Sequence, residues 1–128
     1  MAPDAVVRRA LWASVVFNIF GALMFAFPDT LPGRIAGLPP DVPVLYRALL
    51  VLFVLLFAGV YAWLARAPHI DRSLLALGAI GKAAAFGTVA LVWLAGQAPL
   101  RSLVPMSGDL GFAALFAWWL MQDARRSA

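Results

Sequence analysis

Four polar side chains that interrupt long apolar stretches are the residues of this sequence best suited to do chemistry. They are Asn18, Arg47, Lys82 and Asp109. A charged side chain inside a bilayer costs at least about 2.5–3.5 kcal/mol, so it requires a partner or a hydrated cavity. Such residues are typical of buried ion pairs, small polar pockets and proton paths, and we therefore consider them the candidate site.

The positions of these four residues along their helices predict two polar layers. Arg47 and Asp109 each follow the start of an apolar segment by about one turn, at the same side of the membrane, which makes an Arg47–Asp109 ion pair geometrically possible. Lys82 lies roughly 13 Å in from the opposite side, given the rise of a helix, and Asn18 lies at a similar height. The second layer therefore joins Lys82 to Asn18.

Helical spacing predicts that three of the polar groups face the interior of a helix bundle. Small residues recur every four positions after Asn18 and Asp109 and lie beside Lys82, and in lipid such residues mark close contact between helices. These small residues are Ala22 and Ala26 near Asn18, Ala79, Ala83 and Gly87 near Lys82, and Ala113 and Ala117 near Asp109. Arg47 shares its face with larger residues, which indicates less about its direction.

The two layers have more than one interpretation at this stage. They are either structural links that fix helix against helix, a small pocket for a lipid headgroup, quinone or solute, or part of a proton or ion path. Lys82 either extends toward the membrane surface or stays buried. Tyr46 and Tyr61 are candidates for the edge of such a pocket or for the membrane interface, and core packing is the alternative for both.

Residue composition excludes several kinds of site. The chain has no cysteine, one histidine and no glutamate, so thiolate chemistry and cysteine-bound zinc or iron–sulfur clusters are impossible within it. No nucleophile–base pair, phosphate-binding glycine loop or metal motif is present, and we expect neither a catalytic nor a metal site. The single histidine, His69, lies between two apolar segments and is interpreted as a solvated loop residue.

Hydrophobicity indicates the elements that must hold these residues. Hydrophobic residues make up 64% of the 128 residues and charged residues 12%, about half the charged share of soluble domains. Segments of about 20 apolar residues suit a hydrocarbon core of roughly 30 Å. They predict an all-α integral membrane four-helix bundle, a single transmembrane domain over 1–128, with spans at about 8–27, 44–65, 73–95 and 105–122.

Prolines and capping residues set the predicted boundaries. Pro28, Pro68 and Pro99 each follow the end of a span. Ser73 is the predicted N-cap of the third span, and Pro105 suits the first turn of the fourth. The long connection 28–43 has an apolar centre, 34–38, which is either a short amphipathic turn in the headgroup region or an ordinary exposed loop.

The distribution of arginines predicts orientation. Six of them flank the spans on one side of the membrane and two on the other, so the positive-inside rule places both termini in the cytoplasm of a bacterial inner membrane. The net charge of +4 is therefore attributed to topology, and no nucleic-acid partner is expected. The first apolar segment is longer than the core of a signal peptide, and we expect it to be a retained span.

Short motifs along most of the chain resemble small uncharacterised bacterial four-span membrane proteins of the DoxX-like group. The motifs are Asn18-Ile19-Phe20-Gly21, Gly37-Leu38-Pro39, Tyr46-Arg47, Tyr61-x-Trp63-Leu64, Gly81-Lys82 and Gly108-Asp109-Leu110. The resemblance implies a four-helix bundle and an accessory role beside quinone-linked oxidoreductases. This sequence lacks the cysteines of some relatives, so no thiol-dependent activity is implied.

The sequence thus favours a non-enzymatic inner-membrane component, an accessory or assembly subunit with an intramembrane polar pocket for a lipid or quinone. Its expected partners are membrane lipids and either further copies of itself or a larger membrane complex, and it needs no cofactor beyond the bound lipid or quinone. The alternative is an oligomeric transporter or channel for small solutes or ions that uses Lys82 and Asp109. An enzyme ranks third.

Overall fold

The computed structural model describes residues 2–128, and every regular element in that range is helical. The elements are α1 (Pro3–Ala26), α2 (Leu31–Ile35), α3 (Val44–Arg66), α4 (Arg72–Leu94), a 3₁₀ turn (Leu100–Ser102) and α5 (Leu103–Ser127). The prediction of an all-α four-helix membrane bundle is confirmed.

Four of the helices have the length and composition of membrane spans. They contain 23 to 25 residues each, which corresponds to about 35–38 Å of helix. Each includes a strongly apolar window, with a mean hydropathy of 2.5 in α3, the most apolar of the four. The chain is therefore a multi-pass membrane protein.

The four long helices run alternately up and down, which gives the bundle two distinct ends. Both chain termini and the connection 67–71 lie at one end, called the terminal end. The connections 27–43 and 95–102 lie at the other, called the loop end. The contacts between α1 and α3 and between α4 and α5 are extensive, whereas those between α1 and α5 and between α3 and α4 are fewer. Around the bundle, α1 is therefore diagonal to α4, and α3 to α5.

The starts of α4 and α5 refine the predicted boundaries. Asp71, not Ser73, caps α4, because its Oδ1 accepts a hydrogen bond of 2.8 Å from the backbone N–H of Leu74. The prediction of Ser73 as N-cap was wrong because Ser73 already lies inside the first turn. Pro105 lies in the first turn of α5, where its missing N–H leaves no gap in the helix.

The half of the bundle near the terminal end has a close-packed core. Fully buried side chains from all four long helices meet there, and Gly78 lets α4 approach Tyr61, since a Cβ at Gly78 would lie 3.0 Å from the ring. The core consists of Val7, Ala10, Leu11, Tyr61, Leu64, Ala65, Leu75, Phe116 and Trp119. Dispersion and exclusion of lipid from this core hold the helices together.

Polar contacts at the surface close the terminal end. The guanidinium of Arg8 donates to the carbonyl oxygens of Ala65, Ala67 and Pro68, at 2.7 to 3.1 Å, and so satisfies backbone acceptors where α3 ends. The indole N–H of Trp119 donates to Asp4 at 2.8 Å and joins α5 to α1.

The loop end is closed by the long connection, which docks on the 3₁₀ turn. The Ser102 hydroxyl donates to the carbonyl oxygen of Ala36 at 2.8 Å. Gly37 has a φ of 72° and a Cβ there would lie 2.4 Å from the Pro99 ring, so both conformation and space require glycine. The connection forms α2, whose exposed Leu31 and Ile35 give it an apolar outer surface near the predicted segment 34–38.

Candidate functional site

Lys82 is at the centre of the bundle and organises the candidate site. Its side chain is buried, with 3% exposed, and does not extend to the membrane surface. The ammonium donates to Asp109 Oδ1 at 2.7 Å and to Asn18 Oδ1 at 3.2 Å. Lys82 thus crosses the bundle from α4 to the diagonal helix α1 and forms an ion pair with α5 on the way.

Asn18 extends this network to the fourth helix. While its side-chain oxygen accepts from Lys82, its Nδ2 donates to the backbone carbonyl of Val54 in α3 at 3.0 Å. Asn18 uses both ends of its amide, and the cluster of three side chains therefore contacts all four long helices. Such a cluster fixes the relative height of the helices as well as their rotation.

Three aromatic rings surround the ammonium of Lys82. Its Nζ lies 5.0 Å from the ring centre of Phe17, 4.9 Å from that of Tyr61 and 5.1 Å from that of Phe112. A cation over an aromatic face gains about 2 kcal/mol or more when water is excluded. The rings therefore partly replace the water that a buried ammonium loses.

Gly108 creates the space for one of these rings. A Cβ at this position would lie 2.5 Å from Phe17 Cε2, closer than atoms can approach. Phe17 in turn meets Phe112 edge to face, with ring centres 5.6 Å apart. The residue immediately before Asp109 thus lets α1 bring an aromatic face against the ion pair.

A cavity of about 550 Å³ extends from this cluster toward the loop end. The polar cluster forms its floor, and apolar side chains of all four long helices form most of its walls. The wall residues are Phe17, Phe20, Gly21, Met24, Phe25, Leu50, Phe53, Val54, Phe57, Gly81, Ala85, Val89, Pro105 and Met106, with Ala36, Leu38, Thr88 and Ser102 toward the loop end. The site is an apolar chamber with a small charged base.

Hydrogen-bonding capacity remains at the floor of the cavity. An ammonium has three N–H donors, and Lys82 uses two of them on protein oxygens. Asp109 is bound through Oδ1 only, and the hydroxyl of Tyr61, which also lines the cavity, has no hydrogen bond to residues 2–128. Donors and an acceptor are thus available to a molecule inside the cavity.

The structure brings four of the six predicted site residues together. Asn18, Lys82, Asp109 and Tyr61 all line the cavity. Tyr46 does not, because its side chain is 66% exposed at the start of α3. Its position at the loop end is that of a residue at the membrane interface.

Arg47 lies outside the cluster, and the Arg47–Asp109 pair proposed from helical depth is not formed. The carboxylate of Asp109 contacts Lys82 instead, and Arg47 is partly exposed. The cause is the order of the helices: Arg47 is on α3, which is diagonal to α5. In addition, α5 begins at Leu103, earlier than predicted, so Asp109 lies deeper and reaches the level of Lys82.

The direction of the small residues was predicted correctly in part. Ala22 and Ala113 are buried on the same faces as Asn18 and Asp109. In α4, however, Ala83 is exposed, and the inward face consists of Leu75, Gly78 and Lys82. Lys82 therefore points inward together with Leu75 and Gly78, which lie nearer the terminal end than the small residues named from the sequence.

Several residues of the site were not identified from the sequence. Phe17, Phe112 and Gly108 hold the aromatic surroundings of Lys82, and the carbonyl of Val54 holds Asn18. A signal existed for the first three, because Phe17 and Gly108 adjoin Asn18 and Asp109, and Phe112 follows Asp109 by one helical turn. No pattern in the sequence indicates a backbone carbonyl as a partner.

Within residues 2–128 no three His, Asp or Glu side chains converge as metal ligands. The functional groups at the cavity floor are one ammonium, one carboxylate, one amide and one phenol. This set is suited to hydrogen bonding with a ligand. It offers no base poised beside a nucleophile.

Comparisons with known proteins give no match to this chain: no family model, curated protein or solved structure is significantly similar to it. Function is therefore inferred from the residues of the cavity.

Proposed function

We propose that this protein is an inner-membrane component that holds a lipid or quinone in its intramembrane cavity and acts as an accessory or assembly subunit, not as an enzyme. The observation that carries the proposal is the buried cluster of Lys82, Asp109 and Asn18 at the floor of an apolar cavity. Both termini are placed in the cytoplasm, because most arginines flank the terminal end.

The size and lining of the cavity support ligand binding. Sites for small molecules usually enclose about 300–1,000 Å³ and combine apolar walls with a few convergent polar groups. The cavity has a volume of about 550 Å³ and this same division of polar floor and apolar walls. An amphipathic membrane molecule has the matching division into head and tail.

The position of the ion pair also supports a role beyond helix packing. A buried ion pair is usually no more stable than well-packed apolar residues of the same size, because both charges lose their water. Lys82 and Asp109 both line the cavity, and one N–H of Lys82 and one oxygen of Asp109 make no hydrogen bond within residues 2–128. This arrangement favours binding over a purely structural link between α4 and α5.

An accessory role is supported by the small size of the bundle and by the outer surface of α3. Large apolar side chains cover that surface, among them Leu52, Leu55 and Leu56. They suit either lipid tails or helices of another membrane subunit. A homo-oligomer or a larger membrane complex would present the bound molecule to a partner that performs the chemistry.

Transport through the bundle is the weaker candidate. The cavity reaches the level of Lys82 and stops there, because Leu11, Leu75 and Phe116 fill the half toward the terminal end. A solute path would require this core to open. Saturable solute flux into liposomes that contain the protein would favour transport over ligand binding. That flux should then be abolished in the Asp109→Asn variant.

The decisive experiment is native mass spectrometry of the gently extracted protein. We expect a bound lipid or quinone on the native protein and at least a tenfold lower occupancy on the double variant Lys82→Met with Asp109→Asn. The matched control is Arg72→Met with Asp123→Asn, which removes the other ion pair between α4 and α5, at the surface of the terminal end.

The control variant should keep the ligand. If the native protein carries no amphipathic molecule, or if both double variants keep it equally, the cavity is not the binding site and the cluster is structural.

A further inference from the structure

The cavity also indicates which kind of molecule fits it and by which route it arrives. Building on the proposed function, we infer that the ligand has an uncharged head group with a carbonyl or hydroxyl oxygen, and that it enters sideways between the loop-end halves of α3 and α4.

The charge of the cavity excludes a charged head. Lys82 and Asp109 are the only charged residues among those that line it, and they neutralise each other at 2.7 Å. A charged head group would lose its hydration without gaining a counter-charge, or it would have to separate Lys82 from Asp109. An uncharged head avoids both costs.

The hydrogen-bonding groups at the floor select an oxygen-bearing head. The third N–H of Lys82 and the hydroxyl of Tyr61 are donors, and the second oxygen of Asp109 is an acceptor. A carbonyl oxygen matches the donors, and a hydroxyl matches both donors and acceptor. Because the groups are buried, each hydrogen bond that a bound head completes is worth more than it would be in water.

The route is indicated by the side chains that both line the cavity and face the membrane. In α3 these are Leu50 and Phe53, which are 43% and 55% exposed, and in α4 the exposed residue is Thr88. Contacts between α3 and α4 are the fewest of any neighbouring pair of long helices. The gap between them therefore connects the cavity with the hydrocarbon.

The two ends of the cavity are closed. The connection from α2 docks on the 3₁₀ turn through Ser102 and Ala36 at the loop end, and the packed core around Phe116 closes the opposite direction. Phe20 of α1 is also exposed and lines the cavity, but the α5 residues that line it, Pro105 and Met106, are partly buried. The opening between α3 and α4 is exposed on both walls.

Head-group preference is tested with three lipids that share two oleoyl tails: dioleoylglycerol, dioleoyl phosphatidic acid and dioleoyl trimethylammonium propane. The purified protein is placed in nanodiscs with equal amounts of each, and bound lipid is measured by native mass spectrometry. We expect at least a tenfold preference for dioleoylglycerol, lost in the double variant Lys82→Met with Asp109→Asn.

The outcomes separate this inference from the proposed function. Equal binding of a charged lipid, dependent on the same two residues, overturns the uncharged head but leaves ligand binding intact. Binding of none of the three, together with no lipid or quinone on the extracted protein, overturns both.

The route is tested with single cysteines, since the chain has none of its own. A bulky maleimide on Thr88→Cys should slow both uptake and release of a fluorescent diacylglycerol at least tenfold, with less effect on its affinity at equilibrium. The same label on Val104→Cys, an exposed position of α5 near the loop end that does not line the cavity, should leave the rates within twofold. The reverse pattern, or equal rates in both, overturns the route between α3 and α4.

Discussion

The two halves of this bundle differ in how closely their side chains are packed. Near the terminal end, Leu11, Leu75 and Phe116 fill the space between the helices completely. Toward the loop end the same helices enclose a cavity of about 550 Å³, with a charged floor. The proposed ligand gives the hollow half a role that the closely packed half does not have.

The two ion pairs between α4 and α5 sharpen this contrast. Arg72 and Asp123 form one near the terminal end, where water reaches both side chains. Lys82 and Asp109 form the other at the cavity floor, where both are buried. An exposed pair contributes about 0–1 kcal/mol, whereas breaking a buried pair costs about 3–5 kcal/mol because one charge is left alone. Only the pair of Lys82 and Asp109 both lines the cavity and contributes strongly to the stability of the fold.

The largest expected effect is that of removing one member of the buried pair. Asp109→Ala should lower the free energy of unfolding by about 3–5 kcal/mol, because the ammonium of Lys82 then stays buried without its counter-charge. Unfolding by denaturant in mild detergent, followed by circular dichroism, measures this change. Asp123→Ala, the control at the surface pair, should cost less than about 1 kcal/mol.

The double variant Lys82→Met with Asp109→Ala completes the cycle. We expect it to be more stable than Asp109→Ala alone, so that the two changes are strongly non-additive. Additive losses would show that the two side chains act independently and would contradict the buried pair.

The close-packed half should respond to a loss of volume more than the hollow half. Leu11→Ala removes a fully buried side chain and should lower the free energy of unfolding by about 2–5 kcal/mol. Met24→Ala removes a side chain that borders the cavity and should cost clearly less, since its surroundings are already open. Equal losses in the two variants, measured in the same denaturation experiment, would remove the distinction between the halves.

The sequence predicted the number and type of helices because hydrophobic length and proline positions determine both locally. It also predicted that Lys82 and Asn18 share a level, since helical rise converts position into depth. The partner of Asp109 could not be derived in the same way. It depends on which helices are neighbours and which are diagonal, and no local pattern near Arg47 or Lys82 contains that information.

The sequence favoured an intramembrane polar pocket, but the size and walls of the cavity could not be derived from it, for a related reason. Most of its wall residues are phenylalanine, leucine, methionine and valine, the same residue types that fill a packed core. Whether such residues meet or leave a space depends on how far α3 and α4 separate, which is a property of the whole bundle. The inward direction of Asn18, Lys82 and Asp109 was predicted from the sequence; the size and lining of the space beside them were not.

Gly108 tests how closely α1 must approach the ion pair. Gly108→Ala places a Cβ 2.5 Å from the Phe17 ring and should lower the free energy of unfolding by about 1–3 kcal/mol through overpacking. Gly111→Ala is the control on the same helix, with no atom within 4 Å of the added Cβ, and it should be neutral or slightly stabilising. A neutral Gly108→Ala would mean that Phe17 moves aside freely and does not enclose Lys82 tightly.

The smallest expected effect on stability is also the most informative about the cavity. Ala85→Phe adds a ring on α4 that projects into the open space, whereas Ala83→Phe adds the same ring on the exposed side of the same helix. Without ligand, both should change the free energy of unfolding by less than about 1 kcal/mol, because neither new side chain displaces a packed neighbour.

With lipid present, the native protein and Ala83→Phe should gain stability as the ligand concentration rises, since a ligand that binds only the folded state raises its stability. Ala85→Phe should lose that gain, because the ring occupies the volume of the tail. If the added ring destabilises the ligand-free protein by several kcal/mol, the half near the loop end is packed more closely than a binding cavity allows.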